Sequence, residues 1–268
     1  MTTKKQRKGL GLPRKVLSKP LLHPPLSQVA FEVNFPNCFA VETGVAAFQQ
    51  KVETIYPKSS AEYIVRFPAA VAFGKPPKAT AGELTPLRSF VFQNQQGSRI
   101  VRVSVVSFSL IVTDYIHFED YTTSLLAAFT PAIELFQLHN VDRLGLRYIN
   151  QIHLVGPDPE VNYRKYVRSP ISAETFESHV PTSFLTEISV DLSTDRKLTI
   201  RSGLLPPQND EPTRTYLLDL DCYTVGTLPL SNDGIVALLR QFHEVIEGQF
   251  TRAVTEHYLR YMAEGVPL

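Results

Sequence analysis

The chain has 268 residues, 43% of them hydrophobic and 20% charged, enough for one large domain or two small ones around a packed core. Two cysteines, Cys38 and Cys222, lie far apart without a C-x-x-C partner, which argues against a thiolate zinc site, a redox pair or a secreted disulfide framework and for a reducing compartment. The net charge of +1 combines seven cations and no acid in residues 1–20 with −6 on the remainder, so a basic tail precedes a mildly acidic body.

Residues 1–24 read as a basic flexible tail, too basic and too short of apolar residues for a signal peptide. Pro20, Pro24 and Pro25 favour extended backbone, and folding is expected from there to the C-terminus. Val29, Phe31, Val33 and Phe35 alternate with Ala30, Glu32 and Asn34 as in a half-buried strand. Val45, Phe48, Val52, Ile55 and Tyr56 form a helical stripe ending before Pro57. Tyr63, Val65 and Phe67 alternate again, a Pro-rich connection spans 75–86, and Arg88–Asn94 and Arg99–Thr113 read as two strands. Gly97 in the intervening Gln95-Gln96-Gly97-Ser98 supplies the positive φ of a hairpin. Ile100 to Val112 is broken by Arg102, Ser104, Ser107 and Ser109, short of the roughly 20 apolar residues of a membrane span.

Asp120 or Thr122 is placed to cap a helix through Leu125, Phe129, Ala132, Leu135 and Phe136, with a kink or break expected at Pro131. Arg143–Val155 reads as a strand and Asn162–Val167 as a short helix. Phe184–Leu192, Arg196–Leu204 and Thr215–Val225 read as strands. One long helix is expected from Asp233 to Met262, with Ile235, Leu238, Leu239, Phe242, Val245, Ile246, Phe250, Val254 and Tyr258 on its apolar stripe. Strands in runs, followed by helices, imply an α+β fold: antiparallel sheet with helices packed on one face and a long C-terminal helix. The body reads as a single domain over 25–268 without a clear internal repeat, divisible into two sheet-plus-helix halves near 156–180.

The densest polar segment is Arg143-Leu144-Gly145-Leu146-Arg147-Tyr148-Ile149-Asn150. In a strand, Arg143 and Arg147 share one face while Tyr148 and Asn150 take the other. Two guanidiniums suit a carboxylate or phosphate, or an internal ion pair. Asp219 and Asp221 share a strand face in the same way; they can salt-bridge to the arginines or, with a third oxygen ligand, hold Mg²⁺ or Mn²⁺. His243 and Glu247 share a helix face, yet one histidine and one acid do not make a zinc site, so neither metal nor cofactor is expected. Neither G-x-S-x-G, a Walker loop nor G-x-G-x-x-G is present, and no catalytic residue is assigned. The aromatics Phe31, Phe35, Tyr63, Phe67, Phe90 and Phe92 sit among few basic residues, which favours core packing over nucleic-acid stacking.

Pro25-Leu26 followed by Val29-Ala30-Phe31-Glu32-Val33-Asn34-Phe35, the central Gly145-Leu146-Arg147-Tyr148-Ile149-Asn150, and a C-terminal helix with His243, Phe250 and Thr255 resemble a family of sporadically distributed bacterial proteins over roughly residues 24–262. The resemblance implies a bacterial, cytoplasmic setting and carries no chemistry onto particular residues. The family's patchy occurrence, like that of mobile or defence-associated genes, implies a partner-binding role; the tail before Pro20 departs from its pattern.

The expected function is a non-enzymatic binding or regulatory protein, an accessory or inhibitory subunit of a bacterial defence or toxin-neutralising system with a protein partner. Arg143, Arg147, Tyr148, Asn150, Asp219, Asp221 and His243 are its candidate binding residues. One alternative is an enzyme or sensor for a phosphorylated small ligand on the Arg/Asp face. Another is nucleic-acid contact through Lys4, Lys5, Arg7, Lys8, Arg14 and Lys15 of the tail.

Overall fold

Alternating apolar residues become strands here because one sheet face is covered and the other is wet. The computed structural model describes residues 21–64, 87–154, 159–169, 181–206 and 214–265. The basic tail and the 75–86 connection lie outside the described residues. The elements in chain order are β1 (Leu26–Asn34), α1 (Ala40–Val52), β2 (Lys58–Ile64), β3 (Leu87–Gln93), β4 (Arg99–Ser104), β5 (Ser107–Val112), α2 (Phe118–Phe136), β6 (Asn140–Val141), β7 (Arg143–Leu154), α3 (Pro159–Tyr166), β8 (Thr186–Ser193), β9 (Arg196–Leu204), β10 (Arg214–Thr224), β11 (Leu228–Pro229), α4 (Asn232–Ala253) and α5 (Glu256–Glu264).

Nine strands form one antiparallel sheet in the order β2-β3-β4-β5-β1-β7-β10-β9-β8, and β6 and β11 make a separate two-stranded ladder. The order resolves into two halves of like topology. In each, the first strand (β1 or β7) is followed by a helix and further strands, then returns beside the last strand of its own half (β5 or β10). The two first strands pair with each other at the centre. This groups β7 with β8, β9 and β10.

One apolar row crosses the sheet: Phe92, Val101, Leu110, Phe31, Leu146, Cys222, Leu198 and Val190 are successive partners from β3 to β8. The helices pack on this inner face. Phe48 of α1 meets Phe92 at 5.2 Å, Phe129 of α2 meets Phe31 at 5.2 Å, and His243 of α4 meets Tyr148 at 5.9 Å. The expected α+β class, with its antiparallel sheet, one-sided helices and C-terminal helix, is what the chain adopts. No helix among the described residues is long and apolar enough to cross a membrane.

Three expectations are corrected. The single strand Arg99–Thr113 is a hairpin, β4 and β5, turning at Val105-Val106. Neither turn residue has positive φ, so the turn does without Gly or Asn. Hydroxyls hold it instead: Ser104 Oγ accepts from Val106 N at 3.4 Å and meets Ser107 Oγ at 2.8 Å, while Phe35 N and Cys38 N donate to the carbonyls of Val106 and Val105. Secondly, α2 continues through Pro131 without the break that was one of the two expected outcomes, and it is capped by His117 rather than Asp120 or Thr122, the His117 Nδ1 accepting from Asp120 N at 3.0 Å. Proline deprives the Ala127 carbonyl of its donor, and Ala127 is exposed, so the loss falls on the solvent side of the helix.

Thirdly, the helix expected from Asp233 to Met262 is two. Val254 leaves helical geometry at φ −94° and ψ 159° and bridges to Val167. Thr255 then starts α5, its hydroxyl accepting from Tyr258 N at 3.1 Å and donating to the Lys165 carbonyl.

Candidate functional site

The candidate residues separate onto opposite faces of the sheet. On the outer face, Arg147 donates to both oxygens of Asp219 at 2.7 and 2.6 Å, and Arg143 to both oxygens of Asp221 at 3.0 and 2.8 Å. Strand register sets this up, since Ile149 lies opposite Asp219 and Arg147 opposite Asp221 on adjacent strands. Arg143 reaches diagonally, and Gly145 lets it: a Cβ there would sit 2.7 Å from the Arg143 guanidinium. Tyr223 lies under that guanidinium at 4.5 Å.

Asp219 is only 1% exposed and also faces Arg201 at 3.5 Å, which in turn holds Glu187 at 2.6 Å. Burial pushes the Asp221 carboxyl up against the opposing pull of Arg143 and Arg147. Each arginine of this ladder thus has a carboxylate, and each aspartate has an arginine. Arg147 grips Asp219 through two nitrogens and Arg143 bridges both Asp221 oxygens through one, and this pairing occupies the groups that a phosphate or a divalent cation would use. Among the described residues, no group of three or more His, Cys, Asp or Glu could hold a metal ion.

On the inner face, Tyr148 and His243 are joined. The Tyr148 hydroxyl lies 2.9 Å from His243 Nδ1 and 3.2 Å from the Tyr115 hydroxyl. His243 Nε2 lies 3.3 Å from Glu247, and the ring stacks on Phe118 at 4.5 Å. With Nε2–H facing the carboxylate, Nδ1 is the acceptor and Tyr148 donates to it. Burial pushes the His243 pKa down to about 4, so the imidazole is neutral near pH 7. Burial also raises Tyr148 well above 10 and Tyr115 to about 12, and raises Glu247 with help from Glu244 and Glu119. Asn150 is buried on the same face and donates to the Leu218 carbonyl at 3.1 Å. The Gly145-Leu146-Arg147-Tyr148-Ile149-Asn150 segment therefore ties the central strand to both of its faces. The tail residues Lys4, Lys5, Arg7, Lys8, Arg14 and Lys15 lie outside the described residues.

A further feature was not among the sequence candidates. The inner apolar rows run out uncovered at β8, where Ile188, Val190 and Leu192 are 45%, 42% and 40% exposed. Between this strand and α4 runs a groove made of two cavities that share Arg252, of about 190 and 530 Å³. Ile188, Ile200 and Leu218 line the smaller cavity with Arg168, and Leu192, Arg196, Val245 and Gly248 line the larger. No local signal announces this: β8 alternates Ile188, Val190 and Leu192 with Glu187, Ser189 and Asp191, as any half-covered strand does.

No protein-family model matches the chain, and no curated protein matches it. Among solved structures, the di-domain ARO/CYC StfQ from the steffimycin biosynthetic pathway aligns at 11% identity over 89% of this chain and 98% of that one. Its TM-score is 0.17, and it carries no argument about this protein.

Proposed function

We propose that the chain is a non-enzymatic protein-binding module that takes its partner at the β8 side of the sheet, through the groove beside α4. The exposed apolar run of Ile188, Val190 and Leu192 on an edge strand supports this reading. Contiguous apolar surface rimmed by polar residues marks an interaction site in a folded protein, and an open edge adds unpaired backbone groups. An accessory or inhibitory subunit of a bacterial defence or toxin-neutralising system would use such a surface.

The outer-face arginines and aspartates satisfy one another, which weighs against a phosphorylated ligand there. The Tyr115, Tyr148 and His243 chain is packed between helices and sheet, where it orients α4 and α2.

The test is capture of partners by the tagged chain at native expression, with nuclease treatment, compared between the natural sequence and the double substitution Ile188→Ser, Val190→Ser. A stoichiometric protein partner that disappears with the double substitution supports the reading. A partner that persists, or nucleic acid alone in the capture, overturns it.

A further inference from the structure

The two halves of the sheet are built alike but covered differently. In the first, the thirteen-residue α1 fills the space between α2 and the outer strands. Its Val41, Phe48 and Val52 are buried, with Phe48 against Phe92 of β3 and 5.4 Å from Phe136 of α2. Gly44 marks the close approach of these two helices, since a Cβ there would lie 3.3 Å from the Phe136 ring.

In the second half, the corresponding connection from β7 holds α3, with eight residues. Tyr163 of α3 stacks on Tyr216 at 5.7 Å, and Tyr166 meets Tyr258 of α5 at 5.3 Å. That draws α3 toward β10 and α5, and no helix among the described residues covers the flank of α4 toward β8 and β9. The groove lies beside α4 over β8 and β9, as α1 lies beside α2 over β3.

Two features of the groove define what fits. Gly248 lies in its α4 wall, where a Cβ would meet only the Arg252 guanidinium, at 3.6 Å. A glycine in mid-helix weakens the helix, and its gain is room for a second backbone. The groove is also net cationic: Arg168, Arg196 and Arg252 line it against a single acid, Glu244, and Arg168 and Arg252 have no salt-bridge partner among the described residues, whereas every arginine of the outer ladder has one. Among the described residues, the Arg252 side chain bonds the neighbouring Gln249 amide, at 3.1 Å.

Resting on the protein-binding reading of this surface, we infer that the occupant is an amphipathic helix of the partner, with an apolar stripe on Ile188, Ile200 and Val245 and acidic residues toward Arg168 and Arg252. It completes the second half as α1 completes the first. Helix-in-groove recognition reads anchors at i, i+3, i+4 and i+7, matching the depth of a groove that a strand added to β8 would leave empty.

The test uses two fluorescein-labelled, alanine-based synthetic peptides of about 16 residues, long enough to hold helix. Each has leucines at i, i+3, i+4 and i+7; one has glutamates beside the stripe and the other lysines. Fluorescence anisotropy is read against the natural chain, against Gly248→Met, and against the double substitution Arg168→Gln, Arg252→Gln, each checked for folding by urea unfolding.

The glutamate peptide is expected to bind at least about tenfold more tightly than its lysine twin. Gly248→Met, with its fold intact, weakens it by about tenfold, and the double arginine substitution erases the difference between the twins. Equal binding of the twins, unchanged binding to Gly248→Met, or no binding of either at about 1 mM overturns the inference. Native partner capture that is lost in Ile188→Ser, Val190→Ser but kept in Gly248→Met would remove the helix while leaving the binding surface standing.

Discussion

Acidification between pH 6.5 and about 4 is expected to destabilise the fold through one side chain, His243. The ring is 16% exposed, stacks on Phe118, and accepts from the Tyr148 hydroxyl, with Glu247, Glu244, Glu119, Arg240 and Tyr115 around it. Burial lowers its pKa, Arg240 adds to that, and Glu119 and Glu244 pull the other way. An unfolded histidine takes up a proton below pH 6.5, and the folded one does not until about 4. Across that window the unfolded state binds more protons, so stability falls as pH falls.

With each tenfold change in proton affinity worth about 1.4 kcal/mol, the loss attributable to His243 is about 3 kcal/mol. Glu247 opposes it: its raised pKa makes the folded state take up a proton first as pH falls, which trims the net loss. Urea unfolding at stepped pH, with His243→Gln as the non-titrating comparison, reads the difference directly. The substitution is expected to flatten the acid limb by about 3 kcal/mol, the share carried by the imidazole, since Asp221 and the other carboxyls remain in both proteins. Parallel limbs, or an imidazole that titrates by NMR near its ordinary value, would refute the reasoning.

The outer ladder and the helix break give two further expectations. Asp219→Ala leaves Arg147 and Arg201 side by side over a buried gap, and denaturant unfolding should show a loss of about 3 kcal/mol, the low end for breaking a buried pair because both arginines are partly exposed. Arg147→Met, which keeps Arg201 on the carboxylate, should cost less. Thr255→Ala removes the cap of Tyr258 N and the bond to Lys165, so a loss of about 1–2 kcal/mol is expected, with hydrogen exchange accelerated across Glu256–Glu264 more than across α4.

Strands with strict alternation were legible in the sequence because one face is covered and the other is not. Val29, Phe31 and Val33 against Ala30, Glu32 and Asn34 place β1 to within three residues at its start and one at its end, and Arg196–Leu204 is β9 as expected. The Gly97 hairpin was legible because φ of +74° selects glycine. What escaped was set by tertiary contact. The Val105-Val106 turn has no special φ to advertise and is held by Ser104, Ser107 and the carbonyl bonds from Phe35 and Cys38. The stop at Val254 depends on Val167 and Tyr166 arriving from another element, since Thr255 N donates to the Tyr166 carbonyl at 2.9 Å.

The candidate site was legible in its pairs and not in its faces. Strand parity correctly put Arg143 with Arg147 and Asp219 with Asp221, and it put Tyr148 and Asn150 on the other side. Whether those pairs would meet each other or a ligand depended on register between β7 and β10, which single-sequence patterns leave open. The register decides it by placing Asp221 opposite Arg147, with Arg143 folded over Gly145 onto the same carboxylate.

The groove was missed for the converse reason: what distinguishes Ile188, Val190 and Leu192 is what does not lie over them. A central strand such as β7 spends its backbone on β1 and β10 and its side chains on Asp219, Asp221 and His243, so binding there would have to break contacts already made. An edge strand carries no such cost, because its outer backbone groups are solvated and its apolar side chains gain by leaving water. Two halves that each return the last strand beside the first, with five and four strands and covering helices of thirteen and eight residues, therefore differ most in capacity at β8. Fusing an α1-like helix into the β7–β8 connection would be expected to stabilise the fold and abolish partner capture together, whereas stabilisation with capture intact would place the binding surface elsewhere.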